Sequence, residues 1–376
     1  MPEVFISAGE ASGDFLAGAL VAEMKKIKPG LNFFGLGGPS LRSAGTETLY
    51  DINELGVVGF WEVAKKLDFF RRVFARVKTE LQNRKPDLVL LVDYPGMNLR
   101  IAKLAKSMGL KVGYFISPQF WAWKEGRVEA VKKYVDKMVV VFPFEVEFYK
   151  THAITAEFYG HPFLDLVKPE LPKEEFFKKN NLDQKLPLIS FFPGSRKQQL
   201  EKHLPLVFKT LARLREDGLL FQTAWGLAPG ISKERAAAML RKEITFEVKL
   251  IDQERYSLMA ATDFALSSVG TVTLELAILE TPFLIFYKTS PLTYFLAKRW
   301  VKLPYVGLFN LVAEKKIVPE FLQSEAKPEK LAESAYFYLK EPLLADRLKE
   351  KLAVVRNKLG RPGALPQIAA SFCRLV

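Results

Sequence analysis

Residues 87–98 read DLVLLVDYPGMN. From Leu88 to Val92 every residue is apolar. A strand reads that way when helices cover both of its faces in a parallel sheet. The run ends on a carboxylate, Asp93, and a Pro95–Gly96 turn, and Leu99 to Ser107 then has helical spacing. Strand, short loop, helix is the repeating unit of a doubly wound α/β fold.

The same unit recurs in both directions along the chain. Glu3 to Ser7 reads as a strand and Phe15 to Lys26 as a helix, with a long amphipathic stretch from about Phe60 to Asn83. Lys111 to Ile116 and Lys137 to Phe142 are further strands. Between Pro162 and Pro187 the texture changes. Prolines 162, 169, 172 and 187 bracket a charged segment, which marks a domain boundary. A second series follows, with strands at Leu186 to Phe192, Leu219 to Trp225, Phe246 to Ile251, Phe264 to Ser267 and Pro282 to Tyr287, and helices at Leu200 to Glu216 and Thr271 to Leu279. Two successive doubly wound units imply a cleft lined by loops at the carboxyl ends of strands.

Composition narrows the class. A chain of 376 residues with 49% hydrophobic residues is long enough for two buried cores and too apolar for disorder. The single cysteine, Cys373, cannot form an internal disulfide. The N-terminus enters a strand-like run at once, so no signal peptide is expected, and no apolar stretch approaches the roughly 20 residues of a spanning helix. A net charge of +13 with 30 phenylalanines suits nucleic acid, an anionic membrane face or a phosphorylated substrate. The three histidines are dispersed, so no metal-ligand spacing is present. No Walker lysine loop or dinucleotide fingerprint occurs.

Five loops at strand ends can carry chemistry. Ser7 to Asp14 (SAGEASGD) offers Glu10, Ser12 and Gly13 to a ligand, or is a tight turn with Asp14 as helix N-cap. Asp93 is placed to take a hydroxyl proton, with Asn98 shaping its loop, or it caps the next helix. Ser117 to Trp123 (SPQFWAW) exposes Gln119 and Trp121 or packs them. Gly194-Ser195-Arg196 follows the strand ending at Phe192; Arg196 is fit to fork onto phosphate oxygens or to make a surface salt bridge. Ser267 to Glu275 (SSVGTVTLE) offers Ser268, Gly270 and Thr271 to a diphosphate and Glu275 to ribose hydroxyls. Otherwise Thr271 is a plain N-cap and Glu275 complements the helix dipole. His161, in a Gly-His-Pro turn at the boundary, reads as a base or, more often for such a residue, as a hinge or packing group.

SAGEASGD, DYPGMN, SPQFWAW, FPFE (142–145), GHP (160–162), PGSR and SVGTVTLE stand in this order, followed by Asn310 and VPEFLQ (318–323). The set resembles the lipid-A-disaccharide synthases from about residue 4 onward. The resemblance departs at Val269, where a small-residue SGT pattern is common. It implies a GT-B fold of two Rossmann-like domains: residues 1–165, joined by about 343–376, as the acceptor domain, and 166–342 as the UDP-sugar domain. It also implies transfer from UDP-2,3-diacylglucosamine to 2,3-diacylglucosamine 1-phosphate (lipid X) with inversion, forming a β-1,6 bond and UDP, on the cytoplasmic face of the inner membrane. Asp93 is then the expected base with Glu10 as fallback, and Ser12, Gly13, Asn98, Gln119, Trp121, Gly194, Ser195, Arg196, Ser268, Gly270, Thr271, Glu275 and Asn310 are expected to bind substrate. No metal or cofactor is expected, nor nucleic acid; a homodimer is one expected assembly.

The rivals are another UDP-sugar enzyme of the same fold, such as a peptidoglycan glycosyltransferase or a UDP-GlcNAc 2-epimerase, and a non-catalytic lipid-binding membrane protein. For membrane contact the expected segment is Val58 to Phe74, where Phe60, Trp61, Leu67, Phe70 and Phe74 share a helical face flanked by Lys65, Lys66, Arg71 and Arg72. Tyr294 to Trp300 is a second such stretch. A core-facing helix with a solvated basic side fits the first stretch equally well.

Overall fold

Apolar runs of four to six residues give the central strands, and the strand order fixes where a ligand can sit. The computed structural model describes residues 1–55, 67–118, 120, 125–240, 246–290, 294–295, 299 and 304–376. Gln119, Trp121, Val58 to Lys66, and Leu296 to Lys298 with Trp300 lie outside the described residues.

Among the described residues the strands form two sheets. The first contains β1 (Glu3–Ala8), β2 (Asn32–Gly37), β3 (Thr46–Asp51), β4 (Leu88–Val92), β5 (Val112–Phe115), β6 (Lys137–Val140) and β7 (Ala156–Phe158), in the order β3-β2-β1-β4-β5-β6-β7. The second contains β8 (Leu188–Phe192), β9 (Gln222–Gly226), β10 (Lys249–Ile251), β11 (Phe264–Ser268), β12 (Phe283–Tyr287) and β13 (Glu320–Leu322), in the order β10-β9-β8-β11-β12-β13. All neighbours are parallel. In each sheet the winding reverses once, between β1 and β4 and between β8 and β11. In open parallel sheets, ligands bind outside the carboxyl ends of the strands that flank such a reversal.

The chain divides into two units, Met1–Asp165 with Leu359–Val376, and Leu166–Lys358. The return of the C-terminus is pinned by Asp165. Its carboxylate accepts the backbone N–H groups of Gly363 at 2.5 Å and Leu365 at 2.8 Å, at the start of the helix Ala364–Cys373. That helix packs on the helix Ala11–Ile27. The return was expected at about residue 343. Instead the helix Pro342–Lys358 stays with the second unit, where Leu348, Leu352 and Val355 are buried and Arg356 pairs with Glu280 at 2.9 Å.

Each unit has its own core. Phe5, Phe34, Val89, Leu91, Ile101 and Tyr114 lie in the first, and Ile189, Phe191, Phe208, Trp225, Leu266 and Leu284 in the second. The amphipathic stretch is the helix Leu67–Arg84 in its described part, with Val73, Val77 and Leu81 buried. Phe69, Phe70 and Phe74 pack half-buried against the first core, and Phe69 also meets the Tyr50 ring edge-on at 5.8 Å. Phe70 and Phe74, expected on a membrane face, thus have one side against the first core, as the core-facing reading of this stretch has it. Arg71 and Arg72 are exposed beside them. Of the second stretch, Phe295 is 65% exposed. Among the described residues no helix is long and apolar enough to cross a membrane.

Candidate functional site

In the first unit the reversal brings together the ends of β1 and β4. Ser7 stands opposite Leu91 and Ala8 opposite Val92, so the next residues, Gly9-Glu10 and Asp93-Tyr94, leave the sheet side by side. Gly9 is required there, because a Cβ would lie 2.3 Å from the Tyr94 ring. Asp93 and Tyr94 both take the left-handed conformation, with φ of 48° and 46°. Consecutive non-glycine residues in that region are uncommon and mark an over-determined loop.

Asn98 supplies much of that determination. It is fully buried. Its Nδ2 donates to the carbonyls of Ser7 (3.2 Å), Val92 (3.1 Å) and Asp93 (2.8 Å), while its Oδ1 accepts the Ser7 hydroxyl at 2.6 Å. The Tyr114 hydroxyl donates to the Asp93 carbonyl at 2.6 Å. Asn98 was expected to contact substrate. With its amide consumed by the ends of two strands, it is a clamp on the Asp93 loop instead.

The Asp93 carboxyl is half-buried and its pKa is pushed up to about 7, first by loss of solvation and then by the nearby charge of Glu10. A carboxylate tuned near neutrality is suited to take a proton at physiological pH. Glu10, exposed, is the N-cap position of the helix Ala11–Ile27 and makes no side-chain cap bond. Ser12 and Gly13 lie in the first turn of that helix. A Cβ on Gly13 would sit 3.9 Å from that of Asp93. Asp14 is not the N-cap. It is buried in the same turn, and its carboxylate accepts the N–H groups of Gly38 (2.6 Å), Ser40 (2.8 Å) and Leu41 (3.3 Å), holding the start of the helix Pro39–Ser43.

In the second unit the reversal joins the ends of β8 and β11, where Phe192 stands opposite Ser267. After β8, Gly194 has φ of 106°, a conformation for glycine, and Arg196 begins the helix Lys197–Glu216 with an exposed side chain beside exposed Ser195. Buried His203, on that helix, ties this loop down. Its Nδ1–H donates to the Pro193 carbonyl at 2.6 Å and its Nε2 accepts the Lys288 N–H at 3.0 Å beyond β12. Burial lowers its pKa, which keeps the neutral tautomer those two bonds need.

At the end of β11, the Ser268 hydroxyl is buried with no hydrogen-bond partner. A Cβ on Gly270 would meet nothing within 4 Å. Thr271 is exposed and its side chain makes no cap bond, so it is not acting as an ordinary capping threonine. In the helix Val272–Ile278 the N–H groups of Thr273, Leu274 and Glu275 already donate to the carbonyls of Gly270 and Thr271, at 3.2, 3.0 and 3.2 Å. Glu275 is buried and its Oε2 accepts Arg255 Nη2 at 2.5 Å. Burial raises its pKa and Arg255 opposes the rise.

Two expected residues have other work. Asn310 is fully buried. Its amide bonds the Val318 carbonyl (2.9 Å) and Glu320 (2.8 Å) and accepts the N–H groups of Ile317 and Val318, so it shapes the turn before β13 and is not a substrate contact. His161 is buried against the rings of Phe142 and Phe163, with its pKa down to about 3; it is a packing residue. Among the described residues no group of three or more His, Cys, Asp or Glu side chains is placed to hold a metal ion. Arg255, His203 and Tyr114 were not foreseen from the sequence.

The family model described as lipid-A-disaccharide synthetase matches residues 4–360. Lipid-A-disaccharide synthases of Trichlorobacter lovleyi and Geobacter sulfurreducens are 40% and 38% identical to this chain, over 99% and 97% of it and 97% and 95% of their own lengths. That of Coxiella burnetii is 35% identical over 99% of this chain and 98% of its own. Among solved structures, UDP-GlcNAc 2-epimerase from Neisseria meningitidis bound to UDP-GlcNAc superposes with a TM-score of 0.66 at 13% identity, covering 99% of this chain and all of its own (100%). MurG of Acinetobacter baumannii gives 0.58 at 14% identity, covering 99% of each. At such low identity these two establish the shared fold, the GT-B arrangement of two Rossmann-like domains. The relatives of 35–40% identity extend over nearly the whole length, both reversal points included, and on that ground the chain belongs to the lipid-A-disaccharide synthase family.

Proposed function

We propose that the protein condenses UDP-2,3-diacylglucosamine with 2,3-diacylglucosamine 1-phosphate, giving the β-1,6-linked disaccharide 1-phosphate and UDP. The observation that carries the reading is the chemistry at the two reversal points. One holds a carboxyl tuned to about 7, and the other collects donors suited to a phosphorylated leaving group.

The donor sugar is α-linked to UDP and the product bond is β, so the anomeric carbon inverts in one displacement. The acceptor 6-hydroxyl attacks that carbon as the bond to the diphosphate oxygen breaks. Its proton passes to Asp93, with Glu10 as the alternative acceptor, and the electron pair of the broken bond leaves on UDP. Arg196, Ser195, the Ser268 hydroxyl and the N–H groups at Gly270 and Thr271 receive the diphosphate charge, and Gly194 lets the backbone come close. Stabilising charge where it develops is the larger part of such catalysis. Glu275 accepts the ribose hydroxyls. Ser12 and Gly13 border the acceptor beside Asp93, and Gln119 and Trp121 are assigned to it from the family resemblance. No step in this scheme requires a metal.

Both substrates carry acyl chains, so the protein works at the cytoplasmic face of the inner membrane as a peripheral enzyme, its net charge of +13 drawing it to anionic lipid. A radiolabelled transfer assay tests the reading. Transfer between the acylated substrates and none from plain UDP-GlcNAc supports it; transfer from the plain donor at the same rate overturns the substrate assignment.

A further inference from the structure

Arg255 stands where a cation is not expected. It is the first residue of the helix Arg255–Ala261, the positive end of the helix dipole. Its Nε is buried without a hydrogen-bond partner, while its Nη2 reaches 2.5 Å across to Glu275 Oε2 on the neighbouring helix Val272–Ile278. Leaving a buried donor unmade and a cation at the wrong helix end are both costs to folding. The helix start itself is held from another direction: Glu170 Oε2 accepts the Ser257 N–H and hydroxyl, each at 2.8 Å. Arg255 also lines a cavity of about 370 Å³ at the carboxyl ends of β9 and β10, together with Glu170, Leu227, Ile231 and Tyr256. The feature that accounts for this placement is Glu275.

We propose that Arg255 is a positioning residue that anchors the Glu275 carboxylate through Oε2 and leaves Oε1 to accept the ribose hydroxyls of the donor nucleotide. This rests on the reading of Glu275 as the ribose acceptor. Burial raises the Glu275 pKa toward the neutral form, and the adjacent guanidinium opposes that rise and favours the charged form. The other titratable groups bearing on the pair are Tyr256, on the same helix, and Glu170 beyond it. Burial holds Tyr256 neutral, which leaves Arg255 as the cation that favours a charged Glu275 against its burial.

The test uses the full-length protein and calorimetric binding of UDP and 2′-deoxy-UDP from pH 6.5 to 9. Each variant is compared with wild type at the same pH, so ionisation of the nucleotide cancels. Arg255→Gln keeps a donor and removes the charge. Its UDP affinity falls roughly 10–100-fold at pH 6.5, the worth of one charged hydrogen bond, and recovers toward wild type at pH 9. Arg255→Lys keeps the charge and loses the planar fork. Its UDP affinity is no more pH-dependent than that of wild type, while its preference for UDP over 2′-deoxy-UDP drops several-fold. Wild-type affinity at every pH in Arg255→Gln, or an unchanged ribose preference in Arg255→Lys, overturns the proposal. Thermal melts verify folding, and the lysine variant carries the test alone if the glutamine variant does not fold. Glu275→Ala separates the two layers. If it leaves UDP affinity unchanged, the ribose reading itself fails; if it weakens UDP while both Arg255 variants behave as wild type, only the positioning role fails.

Discussion

Replacing Asp93 by Asn is expected to move activity and stability in opposite directions. Asn has nearly the same shape and tolerates the left-handed backbone found at this position, where φ is 48°. Losing the proton acceptor lowers turnover by about 10²–10⁴-fold. UDP affinity is unchanged. For stability the sign follows from the raised pKa, which moves from 3.8 to about 7. The folded state holds the proton more tightly than the unfolded chain does. The resulting stability is fully present below about pH 3.8 and is lost as pH rises toward 7, where the folded state also ionises. The gap corresponds to at most ~4 kcal/mol, at about 1.4 kcal/mol per pH unit. Partial exposure of the side chain reduces this to roughly 2 kcal/mol. Asn carries no such cost. At about 2–4 °C per kcal/mol for a unit of this size, Asp93→Asn melts roughly 4–8 °C higher at pH 8 and about level with wild type at pH 4. Scanning calorimetry across pH, with transfer assays on the same samples, reads both effects. Wild-type turnover removes Asp93 as the base. A melting difference that does not change with pH refutes the tuned carboxyl.

Removing the Glu10 charge relieves the second cause of the Asp93 shift, so Glu10→Gln should move the acid limb of the rate–pH profile below that of wild type; an unmoved limb breaks the coupling, and complete loss of activity makes Glu10 the base. Arg196→Ala should weaken UDP by roughly 10–100-fold and uridine hardly at all, because the lost charged bonds are to phosphate; equal losses in calorimetry would reassign it. Activity should survive exhaustive chelation, and a strict requirement for added Mg²⁺ or Mn²⁺ would sink the assignment of the leaving group to Arg196 and backbone N–H groups. Asn98→Asp replaces two N–H donors, which face three carbonyls, by an acceptor, at about 1–3 kcal/mol for each donor lost; it should lower the melting temperature by roughly 4–24 °C, and a wild-type melt would show that the clamp is not needed.

The strands that were legible are those buried on both faces. β4, β5, β8, β11 and β12 are nearly continuous apolar runs, and each was found within a residue or two. β2 was missed because NFFGLG reads as a turn, its Gly35 sitting at a register shift against β3. β3 (TETLYD) is a half-exposed edge, and β7 and β13 are three residues each, too short for any period to register. The place of Asp93, directly after a buried strand at the reversal, was legible in the sequence. The roles of Asn98 and Asn310 were not. An amide's partners are backbone carbonyls, and Asn98 meets Ser7 across 91 residues of sequence. Arg255 gave no signal at all, since its meaning depends on a carboxylate 20 residues away on a different helix.

The two sheets have the same strand order around their reversals, yet the groups gathered there differ in sign. At the first, the nearby charge of Glu10 adds to the cost of ionising Asp93, and the surrounding hydrogen bonds are spent on the backbone of the Asp93 loop. That leaves proton acceptance as the chemistry on offer. At the second, exposed Arg196 and the Ser268 hydroxyl, buried without a partner, lie beside the Gly270–Thr271 turn, and the carboxylate there, Glu275, is paired with Arg255. An anion gains from every one of those groups. A displacement that transfers a proton from the attacking hydroxyl and negative charge to the departing diphosphate needs both kinds of environment. On the proposed reading, the Asp93 end of the first sheet answers the first need and the Arg196 and Ser268 end of the second answers the other, which the Asp93→Asn and Arg196→Ala variants test separately.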